Sequence, residues 1–509
     1  MTKKYYLFHP FLFSILPAVF LWGQNFGEVP LREVLPTLAV LVVFGGIVWC
    51  FLWIFFRVLE KLAIVSSISL AMVLCFGYIY EIFFYNSIIK LRWRWTLVIF
   101  FLIFVVMCFL VRRTKKNLVN VNKAMVAVVG TFILISLFQV AWGYYNTYTD
   151  KRHSDVNTVA DDSPDQLRDI YYIILDGYSS LEVAKNVIGY KEKEEDLISF
   201  LGEKGFFIAD KSESNYPDTL FSIPSSLNMV YLQDPLEHKR HFTMAEDNRV
   251  KDILKSYGYK YYHFGADAFT FFNRYADENV NIGMFTPYQE AVWYNTLFRP
   301  IQDLTNTRFE GLADKFGFLD LRMTQWKRER YKLKRLAEIS DEENSPIFAF
   351  AHFLVPKGAG VFDENGNFVT EEEEIAMGPI KSYIGQVAYI NKEIEKLTTA
   401  LLEKSGPRPI IIIQGDHGFP FWAYRDRIDE MADPARAKEL IVPGKYSFPI
   451  FNVYYFPDEG DQLLYNTITP VNTFRVLFSY YFGQNFELLD DKNYTQDPDD
   501  SSKFIIWDK

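Results

Sequence analysis

The sequence predicts a bundle of five N-terminal transmembrane helices followed by one α/β domain with a central, mostly parallel sheet covered by helices. Three observations lead there. Five apolar runs crowd residues 1–146, a polar stretch follows over 147–167, and from 168 to 509 short β-rich runs alternate with longer helical patterns. Whole-chain averages of 50% hydrophobic and 23% charged residues hide this contrast, because they mix two unlike regions.

The apolar runs are 6–22, 34–56, 62–84, 95–111 and 124–142. Each approaches the roughly 20 residues that carry a helix across a ~30 Å hydrocarbon core. One such run alone can be a buried core helix, but five in succession favour spans. The first also resembles a signal-peptide core. No small-residue cleavage site follows it and four further runs do, so it is expected to be retained.

Basic residues set the orientation. Arg112, Arg113, Lys115, Lys116 and Lys123 lie between runs four and five, Lys3 and Lys4 precede run one, and Arg57 and Lys61 separate runs two and three. Threading five spans puts these loops on one side. That gives a multi-pass protein of the cell membrane with a cytoplasmic N-terminus and an external C-terminal domain. Arg32, Lys90, Arg92, Arg94, Lys151 and Arg152 fall on the other side and oppose this reading. The runs hold few ionisable residues, Glu81 among them, so transport is not indicated.

The formal charge of −10 belongs mainly to the C-terminal part, which argues against a nucleic-acid partner needing Lys/Arg patches. Cys50, Cys75 and Cys108 all lie in apolar runs, so no disulfide is expected in the soluble domain.

In that domain the expected strands are 170–175, 205–208, 259–264, 347–353, 409–414 and 448–455. The expected helices include 182–202, 249–257, 323–340, 380–404 and 471–482. Nearly continuous apolar strands between helices imply a sheet buried on both faces. Ligands of such sheets sit outside the carboxyl ends of the strands. The acidic run 371–374 reads as a solvated face, and the Asp363-Glu-Asn365-Gly-Asn367 segment as a hairpin turn without full calcium-loop spacing.

The residues suited to chemistry stand at those strand ends. Tyr171-Tyr-Ile-Ile-Leu-Asp176-Gly177 delivers a carboxylate to the sheet rim, and Ile411-Ile-Ile-Gln-Gly-Asp416-His417-Gly418 delivers a carboxylate beside an imidazole. Glycines next to them let the backbone approach a ligand. Asp with His suits zinc or manganese better than calcium. Each motif alone is also ordinary turn chemistry; two of them, about 240 positions apart, are a candidate for one shared metal site. Between them, Asn215-Tyr-Pro-Asp-Thr219-Leu-Phe-Ser222-Ile-Pro-Ser-Ser-Leu-Asn228 reads as a loop entering a helix. A helix N-terminus favours anions, and a hydroxyl there near a metal can attack phosphorus; a plain Ser/Thr cap is the competing reading.

The order Asp176-Gly, Thr219 before a helix, then Asp416-His417-Gly resembles the alkaline phosphatase/sulfatase superfamily over roughly residues 168–485. With the multi-span anchor, it is similar to the lipoteichoic acid synthase and phosphoethanolamine transferase branches. Pro470-Val-Asn-Thr-Phe-Arg475 also looks like a segment of membrane-bound sulfatase-like hydrolases. The resemblance implies an alkaline phosphatase-like domain in which Asp176, Thr219, Asp416 and His417 hold one divalent metal ion. Thr219 would also be the nucleophile, passing through a phospho-threonine. Lys357 and Asn228 are expected to contact substrate, a lipid-linked or cell-envelope phosphoester. His352, at a strand end, reads equally as a substrate contact or as a buried, hydrogen-bonded histidine.

Two departures from the pattern matter. Ser222-Ile-Pro224-Ser-Ser226 partly mimics the sulfatase motif and makes Ser222 a rival nucleophile, but Ser226 stands where that motif has Arg. In Ala351-His352-Phe-Leu-Val-Pro356-Lys357, a lysine follows the proline where related membrane hydrolases often carry a histidine. Lysine binds a phosphate oxygen as a point charge but offers no neutral imidazole ligand. Sulfuric ester hydrolysis and a catalytically inactive envelope protein therefore stay open as alternatives.

Overall fold

A computed structural model of the chain describes residues 5–25, 29, 31–81, 93–150, 166–191, 197–266, 272–282, 286–298, 321–339, 345–404, 407–419 and 445–507. Most of the expected linker, and Lys3, Lys4, Lys90, Arg92, Lys151 and Arg152 with their loops, lie outside the described residues or their side chains. Contacts divide the chain into two units, Met1–Val156 with Met284–Leu319, and Asn157–Gly283 with Asp320–Lys509.

In the first unit every apolar run forms a helix: His9–Gln24, Leu31–Trp53, Leu59–Leu74, Trp93–Arg113 and Val119–Asp150. Among the described residues three of these, over Glu33–Trp53, Trp95–Arg113 and Val119–Gly143, are long and apolar enough to cross a membrane, against the five expected. The other two are only 16 residues long, about 24 Å at 1.5 Å per residue. The first stops at Asn25, whose backbone N–H and side-chain amide both turn back to the Leu21 carbonyl. The third breaks at Cys75, which leaves helical geometry before a short helix, Phe76–Tyr80. Three helices are tied by buried polar contacts, His9 Nδ1 to Ser67 Oγ at 2.5 Å and His9 Nε2 to Asn122 Oδ1 at 2.8 Å.

A segment from far along the chain joins this unit. The helix Pro287–Tyr294 packs Tyr288 and Val292 among Ala18, Trp22 and Val34. Tyr288 donates to the Ala18 carbonyl at 2.9 Å, and the Leu297 N–H to that of Val73 at 2.7 Å. Gly77 permits the approach, since a Cβ there would stand 2.8 Å from Asn295 Cα.

The second unit is built on seven strands: β1 (Ile170–Leu175), β2 (Phe207–Ile208), β3 (Lys260–Phe264), β4 (Glu278–Asn279), β5 (Ile347–Phe353), β6 (Ile410–Gly415) and β7 (Asn452–Tyr455). Their order is β2-β7-β6-β1-β5-β3-β4. β6, β1, β5, β3 and β4 run parallel, while β7 and β2 are antiparallel to their neighbours. Alternate residues of β1 serve opposite cores, as the two-residue repeat of a strand requires. Tyr171, Ile173 and Leu175 meet Tyr383, Val387 and Ile390 of the helix Pro379–Leu402. Ile170, Tyr172 and Ile174 meet Leu227 and Phe474 of the helices Thr219–Asn228 and Pro470–Tyr481.

The single helix expected over 182–202 does not form. One turn, Leu181–Val183, continues as the π-helical turn Ala184–Ile188 and ends at Gly189, whose φ of 89° no helix continues through; Leu197–Glu203 is a separate helix. The 363–367 segment is a hairpin turn, with Phe362 bridged to Phe368. The acidic run opens an exposed helix, Glu371–Met377, closed at its start by a Thr370–Glu373 capping box.

Candidate active site

Register places the site. β1 lies between β5 and β6, with Leu175 opposite both Phe353 and Gly415. The residues that follow, Asp176 and Asp416-His417, therefore emerge side by side at one rim. Asp176 is held there by its N–H donating to the Phe353 carbonyl at 2.9 Å. Asp416 Oδ1 accepts the backbone N–H of Gly177 and of His417, both at 2.9 Å. Gly177 has φ of 66°, and a Cβ on it would meet Lys357 Cβ at 2.7 Å, so only glycine lets Lys357 lie across this turn.

The helix Thr219–Asn228 brings the hydroxyl. Asp218 is its N-cap, accepting the Phe221 N–H at 3.2 Å. Thr219, at the first helical position and buried, donates its Oγ1–H to Asp416 Oδ2 at 2.6 Å. Ser222, one turn on, donates instead to the Asp416 backbone carbonyl at 2.5 Å, and Ser226 donates to the Ser222 carbonyl at 3.0 Å. The hydroxyl directed at the carboxylate is thus that of Thr219. Asn228 is not in this cluster. It ends the same helix, with its amide donating to the Pro224 and Met244 carbonyls and accepting the Arg249 N–H.

His352, in β5 opposite Ile174, is fully buried. Asp176, His352 and Asp416 form a group that could hold a metal ion, with one ligand atom from each, all within 4.8 Å of one another. The sequence left His352 between a substrate contact and a buried histidine; the structure buries it and sets its ring among the carboxylates. His417 Nδ1 lies 2.6 Å from the Gly418 carbonyl, an acceptor only, so this nitrogen carries the proton. Its Nε2 faces the Lys357 ammonium at 3.0 Å and Asp176 Oδ1 at 3.4 Å.

Charge explains the titration of these groups. Burial alone would raise the Asp176 carboxyl, but the Lys357 ammonium, 3.1 Å from Oδ1, and His417 together hold it well below the usual carboxylate range. Burial disfavours the His417 imidazolium, yet Asp416 and Asp176 outweigh that and raise it. Asp218, beside the same groups, is pushed up by burial. Asp218 had no role in the sequence reading, although an Asp directly before a helix start is a recognisable cap signal.

The donor set fits a divalent cation. Two carboxylates and an imidazole converge, and Asp176 Oδ1 is buried without a well-formed hydrogen bond.

No family model and no curated protein matches the chain. Among solved structures it is similar to the C-terminal periplasmic domain of EptC from Escherichia coli in complex with zinc, at 12% identity and a TM-score of 0.42, covering 69% of this chain and 95% of that one. It is also similar to the integral membrane protein lipooligosaccharide phosphoethanolamine transferase A from Neisseria meningitidis, at 11% identity and a TM-score of 0.39, covering 94% and 96%. A third is the putative sulfatase yidJ from Bacteroides fragilis, at 13% identity and a TM-score of 0.37, covering 65% and 77%. At TM-scores below 0.5 these likenesses leave the function to be argued from the site.

Proposed function

We propose that the chain is a membrane-anchored, metal-dependent phosphotransferase or phosphohydrolase that acts outside the cytoplasm on a lipid-linked or cell-envelope phosphoester, with Thr219 as nucleophile. The observation that carries this reading is the 2.6 Å hydrogen bond from Thr219 Oγ1 to Asp416 Oδ2, at a carboxylate shared with the Asp176–His352–Asp416 group. A threonine used only as a helix cap has no need of a buried carboxylate partner.

Asp176, Asp416 and His352, with Thr219 and His417 beside them, are the residues that would hold the ion. Bound there, a divalent cation supplies a depressed hydroxyl pKa and neutralises charge on the phosphoryl oxygens. The protein's own groups do the rest. Asp416 Oδ2 accepts the threonine hydroxyl proton's hydrogen bond and fixes Oγ1 for attack. Oγ1 gives its proton to Asp416 Oδ2 and forms a bond to phosphorus as the P–O ester bond breaks, the departing oxygen taking a proton from water. Water or an acceptor hydroxyl then loses its proton to solvent as it takes the phosphoryl group, and the Thr219 hydroxyl regains the proton held by Asp416. Lys357, which is partly exposed, presents an ammonium to a phosphoryl oxygen. The first turn of the Thr219 helix adds backbone N–H groups.

The anchor supports a membrane substrate, because a tethered site meets lipid-borne groups at raised effective concentration. Three helices long and apolar enough to cross a membrane among the described residues, with Arg112, Arg113, Lys115 and Lys116 at the junction of the last two, support an external site. Ser226 in place of Arg, and Ser222 turned to a backbone carbonyl, favour phosphate over sulfate esters.

The test uses the full chain in detergent with an aryl phosphodiester, an aryl phosphomonoester and an aryl sulfate. Thr219→Ala is expected to lose turnover of the phosphoesters at least 1,000-fold, on the order of 4 kcal/mol, while retaining bound metal. Full activity in Thr219→Ala, or preference for the sulfate, would sink the proposal.

A further inference from the structure

The helix Leu321–Glu338 carries seven Lys and Arg against two Glu, in a chain whose net charge is −10. Lys327, Arg330 and Lys334 follow one another at three- and four-residue spacing and so share a face. That face lines a groove of about 810 Å³, closed on its other side by the helix Pro379–Leu402, which contributes Lys396. The groove shares no residue with the Thr219–Asp416 site.

Four cations line it and one carboxylate, Glu393, which is already paired with Lys396 at 2.7 Å. Among the described residues the ion contact of Lys334 is a long one to Glu338, at 3.8 Å. Lys327 and Arg330 make no ion pair among the described residues. Arg330 is instead stacked 4.4 Å over the Trp326 ring, and Trp326 is fixed by its Nε1–H donating to the Gly366 carbonyl at 3.0 Å. A stacked guanidinium keeps its edge N–H groups for a planar or tetrahedral anion. Tyr331, Tyr389 and Asn365 bring hydroxyl, aromatic and amide groups to the same lining. The volume is that of a site for a sizeable ligand rather than a single ion.

We infer that this groove is an accessory binding site for a phosphorylated saccharide. The cations meet phosphate, and the hydroxyl, amide and aromatic groups meet a sugar ring and its hydroxyls. The inference stands on this lining alone and does not need the reaction proposed above.

The test titrates fructose 1,6-bisphosphate, fructose and inorganic phosphate into the full chain in detergent by calorimetry. Three forms are compared: unmodified, Lys327→Glu/Arg330→Glu, and Asp416→Ala. The expected result is bisphosphate binding at least ten-fold weaker in the charge reversal and unchanged in Asp416→Ala. Equal affinity in the charge reversal, or loss only in Asp416→Ala, overturns the site. Fructose binding as tightly as the bisphosphate overturns the anion assignment, and inorganic phosphate binding as tightly overturns the saccharide. Should the reversal not fold, Lys327→Gln/Arg330→Gln, which removes charge from two exposed side chains, must weaken the bisphosphate at least three-fold and flatten its salt dependence; an unchanged isotherm overturns the proposal.

Discussion

The Lys357 ammonium stands 3.1 Å from Asp176 Oδ1, so the candidate metal site contains a cation of its own. It also faces His417 Nε2 at 3.0 Å. In Lys357→Met the stem remains and the charge goes. Metal affinity is expected to rise, because a competing positive charge beside Asp176 is removed. Phosphoester turnover is expected to fall about 10- to 100-fold, as one charged contact to the transferring group is lost. Metal titration and kcat/KM measured on the same preparation separate the two effects. Turnover equal to the unmodified protein would take Lys357 away from the substrate.

Ser222 is the nearest rival to Thr219, and its hydrogen bond to the Asp416 carbonyl gives it a structural task. Ser222→Ala is therefore expected to cost about 1 kcal/mol of stability, the net worth of one buried hydrogen bond. Turnover should stay within a few-fold. Thermal unfolding and steady-state kinetics check this together. A loss of turnover as deep as that of Thr219→Ala would reassign the nucleophile.

Asp169 gives a pH dependence whose sign can be worked out. Burial raises its carboxyl above the ordinary range, against the opposing Ile347 N–H at 3.0 Å. A group whose pKa is raised on folding binds its proton more tightly in the folded state. Its contribution is thus fully present below the ordinary carboxylate range and is lost as pH rises through the raised value. Asp169→Asn keeps an oxygen for the Ile347 N–H and removes the titration. Its Tm, relative to the unmodified protein, should become more favourable between mildly acid and neutral pH. A difference in Tm that does not change over that range would contradict the assignment.

How much of this was legible in the sequence depends on the range of the interaction. Asp176 and Asp416 stood out because each closes an apolar strand and has a glycine directly beside it. That β6, β1 and β5 are adjacent is decided by packing, so the meeting of His352 with both carboxylates was not legible from residue spacing. The Asn228 amide is taken up by Met244 and Arg249, from elements brought back by the fold, which residue spacing does not register. Apolar run length likewise overstated the spans. Hydropathy does not register that the backbone leaves the helix at Cys75 or that Asn25 ends the first helix with its amide on the Leu21 carbonyl.

Behind the site, Lys332 and Glu329 form a fully buried ion pair at 3.0 Å, one turn apart on the helix Leu321–Glu338. Lys332 Nζ also donates to the His352 carbonyl at 2.6 Å and to that of Gly265 at 3.2 Å. The carboxylate of Glu329 has no hydrogen-bond partner among the described residues beyond that ion contact. Two charges taken out of water roughly offset their own attraction, but one left alone does not. Lys332→Met is therefore expected to destabilise by about 3–5 kcal/mol, since it strands the Glu329 charge. Adding Glu329→Leu should recover most of that loss. The double variant still lacks the Lys332 bond to the His352 carbonyl, so its metal affinity is expected to stay below that of the unmodified protein even with stability restored. Chemical denaturation of both variants, with metal titration of the double one, reads the two effects separately. A double variant no more stable than Lys332→Met would show that the lysine acts through its carbonyl contacts rather than through Glu329.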